Sequence, residues 1–79
     1  MSTFDKLIQK IFSRSSISYK EAERVLFKLG YTLSIRGSHH GFRKEGCTTI
    51  VLLKTNQLLP YQNKYLQEAL YENGYEKDK

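Results

Sequence analysis

The stretch Ser18–Lys44, SYKEAERVLFKLGYTLSIRGSHHGFRK, changes its hydrophobic period from about 3.6 residues to two at Gly30. Ser18 and Glu21 form the capping-box pattern that begins a helix. Gly30 can adopt the left-handed conformation that commonly ends a helix. Residues 31–36 then alternate between apolar and polar side chains, as in a half-buried strand. The stretch therefore predicts a helix that is followed directly by a strand.

Two turn signals divide the next residues into two further strands. Gly37-Ser38 precedes a strand expected over His39–Lys44, and Glu45-Gly46 precedes a β-branched strand expected over Cys47–Lys54. Short turns between three consecutive strands predict an antiparallel meander. After a loop, apolar residues at helical spacing predict a last helix over Tyr61–Asn73.

The predicted fold class is α+β, with a three-stranded antiparallel sheet covered by helices on one face. The covering helices are those of Ser18–Leu29 and Tyr61–Asn73, and the other face stays open to solvent or a ligand. Apolar residues from Phe4 to Phe12 predict an extra N-terminal helix. We expect one domain over residues 1–79, with an extension (1–17), a core (18–74) and a charged tail (75–79).

Charge and composition narrow the classes of function. The 79 residues carry a net charge of +5, and the excess of basic residues lies in the first two thirds of the chain. Such a domain favours nucleic acid or an acidic protein as a partner. The single cysteine excludes an internal disulfide and a Cys-rich metal site. No apolar run approaches 18 residues, so the sequence predicts a cytoplasmic protein that does not span a membrane.

Both histidines of the chain stand in GSHHGFR, Gly37 to Arg43. Neighbouring residues of a strand point to opposite faces, so His39 and His40 are not expected to chelate one metal ion. No G-x-S-x-G pattern indicates a serine hydrolase. Two interpretations stay open: solvated turn residues, or general acid–base catalysis on RNA, which suits the ordinary pKa of histidine.

Strand parity separates the two histidines. If Phe42 faces the helices, His40 and Lys44 share its side, whereas His39, Gly41 and Arg43 face the open side of the sheet. His39 is then the candidate catalytic residue. The candidate RNA- and phosphate-contacting residues are Arg36, Ser38, Arg43, Lys44 and Lys54. No metal and no cofactor are expected.

The order of elements and the compact motif Gly37-Ser38-His39, with an aromatic residue at Phe42, resemble the HicA family of mRNA-interferase toxins. The resemblance spans about Ser18–Gly74. It implies a dsRBD-like α-β-β-β-α fold and metal-independent cleavage of RNA with His39 as the catalytic residue. It also implies a type II toxin–antitoxin pair in which a HicB-like antitoxin inhibits the toxin, and the two proteins of the pair could form a higher-order assembly.

The chain departs from the family pattern in two places. The N-terminal helix precedes the position where most members begin, and the loop Thr55–Pro60 lacks a basic, histidine-containing stretch. The candidates for base stacking are Tyr31, Tyr61, Tyr65, Tyr71 and Tyr75, although the helical spacing of Tyr61 and Tyr65 favours a core or rim position for those two. A non-catalytic RNA-binding module and a protein-interaction module are the alternatives to the nuclease.

Overall fold

A computed structural model describes residues 3–53 and 57–76 of the chain. These residues form three helices and three strands, in the order α1 (Thr3–Phe12), α2 (Tyr19–Lys28), β1 (Thr32–Arg36), β2 (His39–Arg43), β3 (Ile50–Leu53) and α3 (Pro60–Glu72). The strands form an antiparallel sheet in the order β1-β2-β3. The predicted α+β class and the antiparallel meander are confirmed.

The predicted ends of α2 are also confirmed. The amide of Glu21 donates a hydrogen bond of 3.1 Å to the Ser18 hydroxyl, and the amide of Ser18 donates one of 3.0 Å to the Glu21 carboxylate. Both bonds satisfy amides that a helix N-terminus would otherwise leave unpaired. At the other end, Gly30 has a φ of +100°, which only glycine adopts at low cost.

One face of the sheet carries the core. Phe42 is paired with Leu33 on β1 and with Ile50 on β3, and the next pair on that face joins His40 to Leu52. Phe42, Ile50 and Leu52 are buried, and so is His40. The predicted strand parity is therefore confirmed, with Phe42 on the face that the helices cover.

The N-terminal helix belongs to this same core. Ile11 is fully buried, and the ring of Phe12 lies 5.4 Å from that of Tyr71 on α3. Lys10 forms a 3.0 Å ion pair with Glu21 on α2. Because α1 packs against both α2 and α3, the extension is an integral part of the domain.

Two of the predicted strand descriptions were wrong in detail. The third strand begins at Ile50 rather than Cys47, because the carboxylate of Glu72 accepts hydrogen bonds from both the amide and the hydroxyl of Thr48. These bonds draw the segment toward the end of α3 instead of into the sheet. Ile35, expected in a half-buried face, is 59% exposed because β1 is an edge strand.

A helix that crosses a bilayer needs about 20 apolar residues. None of the helices in the described part of the chain meets this requirement. Lys54, the following Thr55 and Asn56, and the tail residues 77–79 lie outside the described residues.

Candidate functional site

The turn between β1 and β2 positions Arg36 beside His39. Gly37 has a φ of +60° and Ser38 does not have a positive φ, the pattern of a two-residue type II′ hairpin turn. The turn makes Arg36 and His39 direct cross-strand partners. Side chains of such partners lie on one face of the sheet, with Cβ atoms about 5 Å apart. A guanidinium and an imidazole therefore share the uncovered face.

That uncovered face, which we call the open face, holds Ser34, Arg36, His39, Gly41, Arg43 and Val51. Together with Thr49 these residues line a shallow groove of about 150 Å³, the arginine groove. None of the lining residues is acidic. Within residues 3–53 and 57–76, neither Arg36 nor Arg43 forms an ion pair, so both of these guanidiniums are available to an anion.

A second depression adjoins His39 on the side of β3. It measures about 460 Å³, and we call it the tyrosine hollow. Its lining consists of His39, Thr49, Val51, Leu53, Tyr61, Gln62 and Tyr65. His39 lines both depressions, so its imidazole stands where a cationic surface meets an aromatic one.

The other predicted phosphate contacts differ in their distance from His39. Arg43 lies on the same face four residues further along β2, which corresponds to about 13 Å. Arg43 can thus contact a different phosphate from the one at His39. Ser38 is exposed in the turn, and Lys54 lies outside the described residues.

Lys44 is not part of this surface. Its ammonium group donates a 2.6 Å hydrogen bond to the carbonyl of Leu29 at the end of α2, and another to the side-chain oxygen of Asn73. The ammonium also lies 6.0 Å from the ring centre of Tyr31. Lys44 thus links the ends of two helices on the covered side of the sheet and lies apart from the open face, so its predicted phosphate contact stays a prediction.

His40 is a structural residue. It is 6% exposed, and its Nδ1 atom lies 2.5 Å from the hydroxyl of Tyr19. The two rings meet edge to face, with centres 5.1 Å apart. Burial first, and the neighbouring carboxylate of Glu23 second, raise the pKa of Tyr19 to about 12. Tyr19 is therefore a neutral hydroxyl at physiological pH and a suitable partner for a buried imidazole.

No set of three or more His, Cys, Asp or Glu side chains converges as metal ligands among the described residues. The groups available for chemistry are one imidazole and two guanidiniums on the open face, and the phenol rings of Tyr61 and Tyr65 in the adjoining tyrosine hollow. An imidazole can transfer a proton, guanidiniums can bind phosphate, and phenol rings can stack on bases.

Sequence reasoning did not identify most of the tyrosine hollow. Tyr61 and Tyr65 are 49% and 40% exposed, so they lie at the rim of the fold. Val51 on β3 and Thr49, which directly precedes β3, line both the hollow and the arginine groove. The signal that points to Val51 is parity: Val51 pairs with Gly41, and Gly41 shares a face with His39. No comparable pattern in the sequence predicts that the tyrosines of α3 lie beside β3.

No family model, curated protein or solved structure matches this chain. The resemblance to the HicA family therefore depends on the chain's own residues, above all on the turn that presents His39.

Proposed function

We propose that this chain is an endoribonuclease of the mRNA-interferase type, the toxin of a type II toxin–antitoxin pair. Its substrate is RNA, and His39 transfers the proton on which cleavage depends. As the HicA resemblance implies, the reaction needs no metal ion. The order of α2, the three strands and α3 is consistent with the dsRBD-like order that the resemblance implies, which supports the proposal.

The observation that carries the proposal is the placement of His39. Its imidazole is exposed on the sheet, directly opposite Arg36, on a surface whose lining residues include no acid. A phosphodiester held by Arg36 would place its ribose within reach of the imidazole. Only His39 combines exposure with this cationic neighbour, because His40 is buried against Tyr19.

The proposed chemistry is a transesterification within the RNA strand. A ribose 2′-hydroxyl loses its proton and its oxygen attacks the adjacent phosphorus, while the bond from phosphorus to the 5′-oxygen breaks. The leaving 5′-oxygen gains a proton. The products are a 2′,3′-cyclic phosphate and a 5′-hydroxyl. His39 acts as the base or the acid in this exchange, and Arg36 balances the charge that grows on the phosphate oxygens.

The partner follows from the same resemblance. A HicB-like antitoxin that neutralises the protein is expected to cover the open face. Because that face presents guanidiniums and adjoins the aromatic rings of the tyrosine hollow, the antitoxin should offer carboxylates or aromatic side chains there. Saturating amounts of such a partner should suppress cleavage at a near-stoichiometric ratio.

The end groups of the RNA products test the proposed chemistry. We expect cleavage in the presence of EDTA, with 2′,3′-cyclic phosphate and 5′-hydroxyl ends identified by mass spectrometry. A substrate with a single 2′-deoxy nucleotide on the 5′ side of the cleaved bond should resist cleavage at that bond alone. Products with 5′-phosphate ends, or normal cleavage at the deoxy position, would refute attack by the 2′-hydroxyl.

A non-catalytic RNA-binding module is the second candidate, because the arginine groove and the tyrosine hollow would serve it equally well. It predicts binding that weakens steeply as salt rises, through counterion release. It also predicts intact RNA after prolonged incubation with the wild-type protein, whereas the nuclease predicts decay.

A further inference from the structure

Tyr61 and Tyr65 form an exposed aromatic pair on the first two turns of α3. Their ring centres lie 6.1 Å apart with an interplanar angle of 82°. About half of Tyr61 and two fifths of Tyr65 are exposed, so neither ring is a buried component of the core. The hydroxyls of Tyr61 and Tyr65 are not part of the N-terminal cap of α3. In that cap, the backbone amide of Leu59 donates a hydrogen bond to the side-chain oxygen of Gln62. The pair is thus free to serve a ligand.

The hollow beside these rings has the chemistry of a stacking site. Leu53 and Val51 supply aliphatic surface from β3, and the two tyrosines supply π surfaces from α3. The volume of about 460 Å³ falls within the range of small-molecule sites. No acidic side chain lines the hollow, so nothing there repels a polyanion.

The order of groups across the open face matches the order of groups within a nucleotide. Arg36 lies on one side of His39, and the tyrosine hollow begins on its other side. RNA likewise presents an anionic phosphate next to a flat base, with the ribose between them. Proteins that bind single-stranded RNA use this combination of cationic and aromatic surfaces.

We propose that the tyrosine hollow is a nucleobase subsite, in which a base next to the cleaved phosphodiester stacks on Tyr61 or Tyr65 while Arg36 and His39 engage the phosphate. This inference rests on the proposed function. It adds that the substrate is unpaired RNA at this nucleotide, since a base within a duplex cannot enter the hollow. Selection there follows stacking area, so purines bind more tightly than pyrimidines.

Binding is measured with a 2′-O-methyl RNA oligonucleotide that carries 2-aminopurine at a single position. This strand cannot undergo attack by the 2′-hydroxyl, so the measurement does not depend on catalysis. The fluorescent base is moved one position at a time along the strand. We expect wild-type protein to quench it strongly at one position, and Tyr61→Leu together with Tyr65→Leu to weaken affinity by about fivefold or more.

Three matched variants control the measurement. The conservative pair Tyr61→Phe with Tyr65→Phe keeps both rings and should bind like the wild type. Tyr71→Leu removes an equally exposed tyrosine from the far end of α3 and should leave affinity unchanged. Circular dichroism should show the same folded spectrum for the Tyr61 and Tyr65 variants, whose rings are exposed. Because the ring of Tyr71 also packs on Phe12, thermal unfolding should confirm that Tyr71→Leu is folded at the temperature of the binding measurement.

Quenching that is absent at every position, or Leu variants that bind like the wild type, would overturn the subsite. Phe variants that lose as much affinity as the Leu variants would also overturn stacking, since they would assign the binding to the hydroxyls. Failure of the proposed function would be recognised separately: unmodified RNA would stay intact with wild-type protein, whether or not the 2-aminopurine fluorescence is quenched.

Discussion

The hydroxyl of Tyr19 and the Nδ1 atom of His40 lie 2.5 Å apart in the interior of the domain. The neighbouring residue, His39, lies on the opposite face of the same strand and is exposed. Two adjacent imidazoles therefore have separate roles, one in packing and one on the open face. Strand geometry alone produces this division, because consecutive side chains alternate between faces.

Replacing Tyr19 with Phe should destabilise the fold. The substitution keeps the ring but leaves Nδ1 of His40 buried without its partner, at a cost of about 1–3 kcal/mol in the free energy of unfolding. Urea denaturation at pH 7 measures the change. Tyr65→Phe, which alters an exposed ring, is the matched control and should unfold like the wild type. Equal stability of Tyr19→Phe and wild type would show that the contact contributes nothing.

Tyr19 should also make the free energy of unfolding depend on pH in the alkaline range. Because burial raises the pKa of Tyr19 to about 12 from 10.0, the folded state favours the neutral hydroxyl. The stabilisation is complete below pH 10 and is lost as pH rises toward about 12. Denaturation between these values should show a smaller loss of stability for Tyr19→Phe than for wild type. Parallel losses in the two proteins would exclude Tyr19 as a source of the dependence.

Lys44 should matter for stability and not for RNA. Lys44→Met keeps much of the aliphatic stem but removes the ammonium group that bonds Leu29 and Asn73, at an expected cost of about 1.5–3 kcal/mol. Lys28→Met removes an exposed lysine and should cost far less. RNA affinity should be similar in the two variants. A specific loss of RNA affinity in Lys44→Met would return Lys44 to the binding surface.

The two arginines of the open face should have separable effects. Arg36 is the cross-strand partner of His39, so Arg36→Ala should lower kcat as well as affinity. Arg43 lies about 13 Å along the strand, so Arg43→Ala should raise KM and leave kcat nearly unchanged. Each substitution should reduce the slope of log affinity against log salt by about 0.7.

Arg24→Ala removes an exposed arginine from α2 and is the control for both substitutions. If Arg24→Ala weakens RNA binding as much as Arg36→Ala does, RNA affinity would depend on the net charge of the protein and not on a contact at the open face.

Local sequence patterns were sufficient for the elements that decide the fold. The capping box at Ser18 and Glu21, the stop at Gly30 and the alternation along β2 each depend on residues close together in the chain. Such short-range rules place His39 and Arg36 on one face without knowledge of the rest of the molecule.

Long-range contacts decided what the patterns could not. The bond from Lys44 to Asn73 spans 29 residues, and that from Thr48 to Glu72 spans 24. The residues next to Lys44 and Thr48 in the sequence do not indicate that either would bond to the end of α3. The tyrosine hollow is hidden for the same reason, since it forms only where α3 meets β3.

The most direct test of the account is the cleavage rate of RNA by His39→Ala under single-turnover conditions with saturating protein. We expect the rate to fall by about 100-fold or more, the usual contribution of a general acid or base. Binding of the 2′-O-methyl oligonucleotide should stay close to that of the wild type, because Arg36 and the aromatic rings remain. A folded His39→Ala protein that cleaves RNA at the wild-type rate would contradict the central claim that this imidazole transfers the proton.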